Sequence, residues 1–325
     1  MDGTVALTTN GNGAATIVND AGLNFAASTV TGALTATATT GNITDSGNLA
    51  ITGAAVFTTG ATGSNIELDS SGNAFAAAVT LQADDGSEAF GNITFVDSAA
   101  IDFATSAGSN GDLFINAGTD GAVGGNLSVT ATTGNITDTV ALAVTGTSSF
   151  TTSANDATIT LNNASNSFTG AIAITTNDAS GTDADVTIDG GTTALIIAAS
   201  TIDGDLTLTT GHASGITDSG NVVVGGNFSA TTDDNNGVIN VGTMQVDGTV
   251  ALTTNGNGAA TIVNDAGLNF AASTVTGALT ATATTGNITD SGNLTVTGTS
   301  SFTTCLLYTS PSPRDATLSR MPSSA

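Results

Sequence analysis

The sequence predicts an all-β chain wound as a repetitive, right-handed parallel β-helix, a β-solenoid, over residues 1 to 304, and three observations carry that prediction. The composition holds 41 Gly, no Trp and only 9% charged residues. Its Thr, Val, Ile and Phe favour strands, and its Gly, Asn and Asp favour tight turns. Apolar residues alternate with Thr, Ala or Asn for a few positions and then stop at Gly, Asn or Asp, which is the pattern of a half-buried strand. The strands also recur in tandem, and units this short bury an apolar face only by stacking on neighbours around one continuous core.

The elements follow in order. Val5 and Leu7, Val79 and Leu81, and Ile172 and Ile174 open one strand type. Leu23 and Phe25, Ile101 and Phe103, and Leu195 and Ile197 fill a second, and Leu34, Leu127, Leu206 and Leu279 start a third. The segment Thr39 to Asp45 returns at Thr132 to Asp138 and, more loosely, at Gly215 to Asp218. Each copy leads to an aligned phenylalanine, and Phe57, Phe150, Phe228 and Phe302 mark a long repeat of variable length. Asp2 to Leu49 recurs without a change as Asp247 to Leu294. An antiparallel β-sandwich is the alternative, with Asn10-Gly11 or Asn12-Gly13 as hairpin turns. Hairpins would leave many sheet edges, and residues 1 to 304 contain no Lys or Pro to guard them. A solenoid leaves two, through which copies are expected to self-associate. With roughly 20 to 25 residues per coil and about 4.8 Å between coils, some 12 to 15 coils and a rod of about 60 to 70 Å are expected. Right-handed winding follows from strand twist.

Of the 27 acids only Asp315 lies beyond Thr304, so residues 1 to 304 carry 26 carboxylates and neither Lys nor Arg. Nucleic acid and anionic membranes are bound through Lys and Arg, so neither is expected as a direct partner. No apolar run reaches the roughly 18 residues of a membrane span. No basic-then-apolar leader opens the chain, and truncation at both ends is the expected reason.

Residues 305–325 differ from everything before them: they hold every Pro, both Arg, the only Cys (Cys305) and the only Tyr (Tyr308). Cys305-Leu306-Leu307-Tyr308-Thr309-Ser310 resembles the translation of a transposase-end sequencing adapter, and the segment is expected to be a non-native, disordered tail. The repeats themselves resemble the β-strand repeats of large bacterial adhesins, of the filamentous-haemagglutinin and autotransporter-passenger type. That resemblance rests on Gly124 to Thr130, Gly134 to Asp138, Val144 to Phe150 and Asn166 to Ile172. It implies a parallel β-helix, export to the cell surface or beyond in association with a bacterial outer membrane, and a role as stalk or adhesive surface. Neighbouring repeats of the same protein are then the expected partners, with a host-cell, polysaccharide or biofilm surface beyond them. It carries over no functional residue.

Chemistry is sparse in the sequence. The single His, His212, sits in a Gly-rich turn, and no Ser occupies a Gly-x-Ser-x-Gly elbow. A β-helical carbohydrate-active enzyme would need a cation for its acidic substrate, and residues 1 to 304 supply none, so the chain is read as non-catalytic, with no organic cofactor. Ca²⁺, which takes six to eight oxygens, has weak candidates in Asp84, Asp85 and Glu88, in Asp183, Asp185 and Asp189, and in Asp233 and Asp234. No EF-hand loop or Gly-Gly-x-Gly-x-Asp nonapeptide accompanies them, and Asp as a former of local turns is the preferred reading. Asn-Ile-Thr at Asn42, Asn92, Asn135 and Asn287 reads as a turn Asn followed by an inward Ile. Thr-x-Thr pairs such as Thr35 and Thr37 raise the alternative of a Thr face that binds ice or polysaccharide, which would need the pattern in every coil.

Overall fold

The computed structural model describes residues 3–83, 91–104, 112–116, 122–177, 184–233 and 236–305. Its described residues form strands and turns only, stacked in about 12 turns of a β-solenoid. Every strand pairing is parallel, which overturns the sandwich alternative. Asn10 to Gly13 is a turn, with Gly11 at a left-handed φ of 66°, but it carries the chain from one side of the solenoid to the other and closes no hairpin.

Each turn has two sides. One is a straight strand of about five residues, such as Leu34–Ala38 or Ala55–Thr59. The other is bent, made of two short strands such as Ile43–Asp45 and Leu49–Ile51 with Ser46 to Asn48 at the corner. The sides stack into a 16-stranded and a 15-stranded sheet, and two three-stranded sheets continue some bent sides. Successive straight strands pair as Ala15↔Leu34, Leu34↔Ala55 and Ala55↔Val79, so that each turn is slightly longer than the last. The turn lengthens most around Ile93↔Leu127 and Ile101↔Ile136, where the extra strand Asp112–Asn116 is inserted between Val79–Ala83 and Ile101–Phe103.

Alternation delivers the core. Leu34, Ala36 and Ala38 point inward while Thr35 and Thr37 point out. Nine of the largest fully buried side chains are phenylalanines, among them Phe57, Phe150 and Phe228. Rings from the two sides meet edge to face across the core, Phe25 with Phe57 at 6.2 Å and Phe57 with Phe75 at 6.1 Å, a favourable arrangement of their quadrupoles.

At one corner glycines of successive turns stack backbone to backbone. Gly32 N–H donates to Gly13 O and Gly53 N–H to Gly32 O, at 2.9 and 3.0 Å. A Cβ on Gly53 would lie 2.5 Å from the Gly32 carbonyl carbon and 2.6 Å from Ala33 N. The same corner-to-corner step recurs at Gly204, Gly226 and Gly248.

The long sequence repeat and the turn are out of phase. From Phe57 the chain passes Ile66–Leu68, Val79–Ala83, Ile93–Asp97, Ile101–Phe103, Leu127–Ala131 and Ile136–Asp138 before reaching Phe150, alternating between the two large sheets at each step once the inserted Asp112–Asn116, in the same sheet as Ile101–Phe103, is set aside. That is seven half-turns. Phe150 to Phe228 and Phe228 to Phe302 also take seven, although the three stretches differ in length. An odd count exchanges the sides at every repeat, so Asp45 and Asp218 lie in the 15-stranded sheet and Asp138 and Asp290 in the 16-stranded one. The two identical segments obey the same rule: Leu34–Ala38 belongs to the 16-stranded sheet and Leu279–Ala283 to the 15-stranded sheet. The exchange occurs where one straight strand follows another, as at Ile172–Thr175 and Val186–Asp189.

Candidate functional site

Of the calcium candidates, Asp84, Asp85, Glu88, Asp183 and Asp234 lie outside the described residues. Asp185 spends an oxygen on the backbone of the next turn, accepting the Asp205 N–H at 2.8 Å. Asp189 ends a strand and accepts the Gly191 N–H at 2.7 Å. Burial pushes the Asp189 carboxyl above its ordinary value, and the charge of Asp233 adds to the shift. Among the described residues no three His, Cys, Asp or Glu side chains converge on a common point. His212 is half-buried in its turn, where its Nδ1 accepts the Ser214 N–H at 3.0 Å.

The recurrent Asp of the Ile-Thr-Asp motif has a defined task, and it is not a local one. Asp45 is 8% exposed. Its carboxylate accepts the Asp69 N–H at 2.9 Å and the Asn73 Nδ2–H at 2.8 Å, both from the following turn. The Asn73 Oδ1 in turn accepts the Leu49 N–H at 2.8 Å. Asp138 repeats the clamp with Asn162 N–H, Asn166 Nδ2–H and, through Asn166 Oδ1, Leu142 N–H. Asp218 takes Gly242 N–H and Thr243 N–H instead. The turn-former reading therefore needs correcting in range: these carboxylates tie one turn to the next, and Asp45 and Asp138 hold the Asn73 and Asn166 amides that satisfy the buried Leu49 and Leu142 N–H groups. Burial is the first cause that raises the carboxyls of Asp45 and Asp138, with the Asn amide and backbone donors opposing it. Asp97 is raised for the same reason while accepting the Phe75 N–H.

A second set of side chains does the same at another corner. Asn42 Oδ1 accepts Asn65 N–H, Asn65 Oδ1 accepts Asn92 N–H, Asn92 Oδ1 accepts Asn126 N–H, and Asn126 Oδ1 accepts Thr147 N–H, at 2.8 to 3.0 Å. Asn135, Asp205 and Asn227 continue the pattern along the solenoid. Ile43, Ile93 and Ile136, each following such an Asn, are buried, as the turn-then-inward reading of those triplets expects.

Threonine is not confined to the outer face. Thr152, Thr210, Thr232 and Thr254 close straight strands pointing inward, and Thr152 and Thr254 donate to the Ala157 and Gly258 carbonyls in the turn that follows. Outward threonines form single columns: Thr137, Thr160, Thr187 and Thr207 in one register, and Thr209, Thr231, Thr253, Thr274 and Thr295 in another. The first column passes to Ser229 and Ala251 where the second is most continuous, so paired Thr-x-Thr rungs are isolated.

The identical segments make the same shallow depression twice. One, of about 340 Å³, is lined by Gly22, Asn24, Gly41 and Asn42; the other, of about 280 Å³, by the matching Gly267, Asn269 and Asn287 with Asp247. The Asn24 and Asn269 Oδ1 atoms accept no hydrogen bond within the chain.

A family model described as repeats of unknown function (DUF5649) matches residues 12–82, 90–175, 183–235 and 257–305. The breaks between those matches fall where straight strands succeed one another and the sides exchange. No curated protein and no solved structure matches the chain. The match covers well over half of the sequence, and the chain belongs to that family.

Proposed function

We propose that this member of the family is a structural and adhesive segment of a large exported bacterial protein, displayed outside the cell or at its outer surface. One observation carries the reading: the polar side chains that elsewhere would build a site are spent here on joining turn to turn. Asp45, Asp138, the Asn42 to Asn126 column and the inward threonines all hold backbone groups of their own or the next turn. Parallel pairing along the whole described chain favours a spacer of fixed length. The absence of Lys and Arg before residue 305 leaves neutral polysaccharide or protein surfaces as the contacts, with neighbouring repeats as the immediate partners, and no nucleic acid or membrane insertion. The adhesin resemblance of the repeats supports export.

The purified chain is expected to bind polysaccharide-coated or cell surfaces, or to span them passively, without cleaving anything. Incubation with neutral and uronate polysaccharides, followed by assay of reducing and unsaturated ends, tests this. Time-dependent new ends that scale with protein concentration would overturn the non-catalytic reading. A Thr face is the second reading, and the column from Thr209 to Thr295 is what favours it. Loss of surface binding on replacing Thr231 and Thr253 by Val would move it to first place.

A further inference from the structure

Six Asn-Gly pairs occur in the sequence, five of them among the described residues, at Asn10, Asn12, Asn236, Asn255 and Asn257. In such a pair the side-chain amide is open to attack by the next backbone nitrogen, because Gly has no Cβ to hinder the approach. The fold sorts these pairs. Gly258 N–H donates to the Asn255 carbonyl at 3.1 Å and Gly13 N–H to the Asn10 carbonyl at 3.2 Å, so the nitrogens that follow Asn257 and Asn12 are engaged. The Asn236 Oδ1 accepts the Asn257 N–H at 3.0 Å, which ties that amide to the stack. Gly256 N–H instead points at its own Asn255 Oδ1, at 2.8 Å. Asn255, Gly256 and Asn257 are all exposed. Gly256 has a φ of 66°, the left-handed value that the first central residue of this tight turn requires.

We propose that Asn255 is a site of spontaneous deamidation, with water as the co-reactant. The Gly256 nitrogen gives its proton to solvent base and attacks the Asn255 Cγ, forming the N–Cγ bond of a five-membered succinimide. The Cγ–Nδ2 bond breaks, and the amide nitrogen takes a proton from solvent and leaves as ammonia. Water then opens the ring at one of its two carbonyls, giving Asp if it adds at Cγ and isoaspartate if it adds at the main-chain carbon. Contact between the attacking nitrogen and the amide it attacks shortens the path to a reactive conformer. The product alters the joint between two turns of the solenoid. The Asn255 carbonyl accepts the Asn236 N–H from the preceding turn at 3.1 Å as well as the Gly258 N–H. In isoaspartate the main chain runs through Cγ, and that carbonyl becomes part of a side-chain carboxylate. The new charge joins the 26 carboxylates of residues 1 to 304, which hold no Lys or Arg to meet it. The site lies between the paired strands Thr249–Thr253 and Ala260–Asn264, inside the stack, and is independent of the adhesive reading above.

The test is an incubation of the full chain in warm, mildly alkaline buffer, once folded and once in urea, with peptide mass spectrometry over time. The chain carries Asn10→Gln, an exposed position, so that the peptide around Asn255 differs in mass from its otherwise identical counterpart. Enzymatic methyl transfer to isoaspartate checks the second product. In the folded chain Asn255 is expected to deamidate about tenfold faster than Asn12, Asn236 or Asn257, each of which must first give up a hydrogen bond. In urea the four rates are expected to converge, because Gly follows every one of them. Equal rates in the folded chain, an intact Asn255, or the same ranking in urea would each overturn the proposal, the last by assigning the order to sequence and not to the fold.

Discussion

Phe150 and Phe302 occupy the same sequence, Val144 to Thr152 and Val296 to Thr304, in two environments. Replacing each by Ala therefore separates what a strand contributes by its own sequence from what its neighbours contribute. Phe150 is 0% exposed and meets Phe103 and Phe168 edge to face at 6.3 and 6.2 Å, so Phe150→Ala leaves a cavity and costs about 3–5 kcal/mol. Phe302 is 49% exposed. About half of the ~1.5–3 kcal/mol for burying a Phe side chain is realised there, so Phe302→Ala should cost about 1 kcal/mol. The gap of about 2–4 kcal/mol corresponds to roughly thirty-fold to a thousand-fold in the unfolding equilibrium. Urea titration followed by far-ultraviolet circular dichroism, at concentrations where copies do not meet, reads it directly. In a stacked array the interior loss weakens the interfaces on both sides of the substituted turn, which widens the contrast. Equal losses at the two positions would refute the claim that the next turn, and not the strand, makes the core.

Gly53→Ala drives a Cβ into the Gly32 and Ala33 backbone and should cost about 1–3 kcal/mol, while Gly242→Ala, with nothing within 4 Å of its Cβ, should stay within about 0.5 kcal/mol; matching urea midpoints would contradict the corner packing. Asn73→Ala strands the Leu49 N–H and removes a donor from Asp45, at about 1–3 kcal/mol by the same titration. Burial raises the carboxyls of Asp45, Asp97, Asp138 and Asp189 above 3.8 in the folded chain. Between that value and the raised ones the native state binds more protons than the unfolded state, so stability falls as pH rises through this window and is flat above it. Thermal melts should therefore show a higher Tm near pH 4 than at pH 7, and a maximum at neutral pH would count against the buried carboxylates. Millimolar Ca²⁺ or chelator should leave the melt unchanged, because the Asp185 and Asp189 oxygens are engaged by backbone N–H groups; a chain that orders only with calcium would reverse this.

Much of the fold was legible because its information is local. Alternation around Leu34, Leu127 and Leu206 marks inward residues without reference to anything distant, and Asn before Ile marks a corner. The parallel pairing followed from the lack of edge protection, a property of the whole composition. What stayed hidden depends on neighbours a full turn away. Asp45 and Asn73 meet only across the stack, and their spacing of 28 residues recurs between Asp138 and Asn166 but not at Asp218, which meets Gly242 and Thr243 instead. Thr152 and Thr232 resemble every other threonine of their strands, and only the following turn shows why they face inward. Of the proposed calcium ligands, Asp189 caps its own turn, as the preferred turn-former reading expects, whereas Asp185 reaches the Asp205 N–H of the next turn, a partner no local pattern names. The exchange of sides was also out of reach: the unequal intervals between Phe57, Phe150, Phe228 and Phe302 give no hint that each amounts to three and a half turns.

That half-turn has a consequence for recognition. Two stretches with one sequence, Asp2 to Leu49 and Asp247 to Leu294, look out from opposite sides of one rod, each with its depression beside Asn24 or Asn269. Whatever grips that epitope finds two seats facing away from each other. A repeat made of whole turns would line its epitopes along one side, like teeth on a comb, and hold a ligand sheet flat against it. This chain instead presents them like rungs reached from both sides of a ladder. A bivalent or surface-bound receptor would therefore be bridged through the rod to a second one behind it, and a monovalent antibody fragment against the segment should decorate single rods at two points on opposing edges.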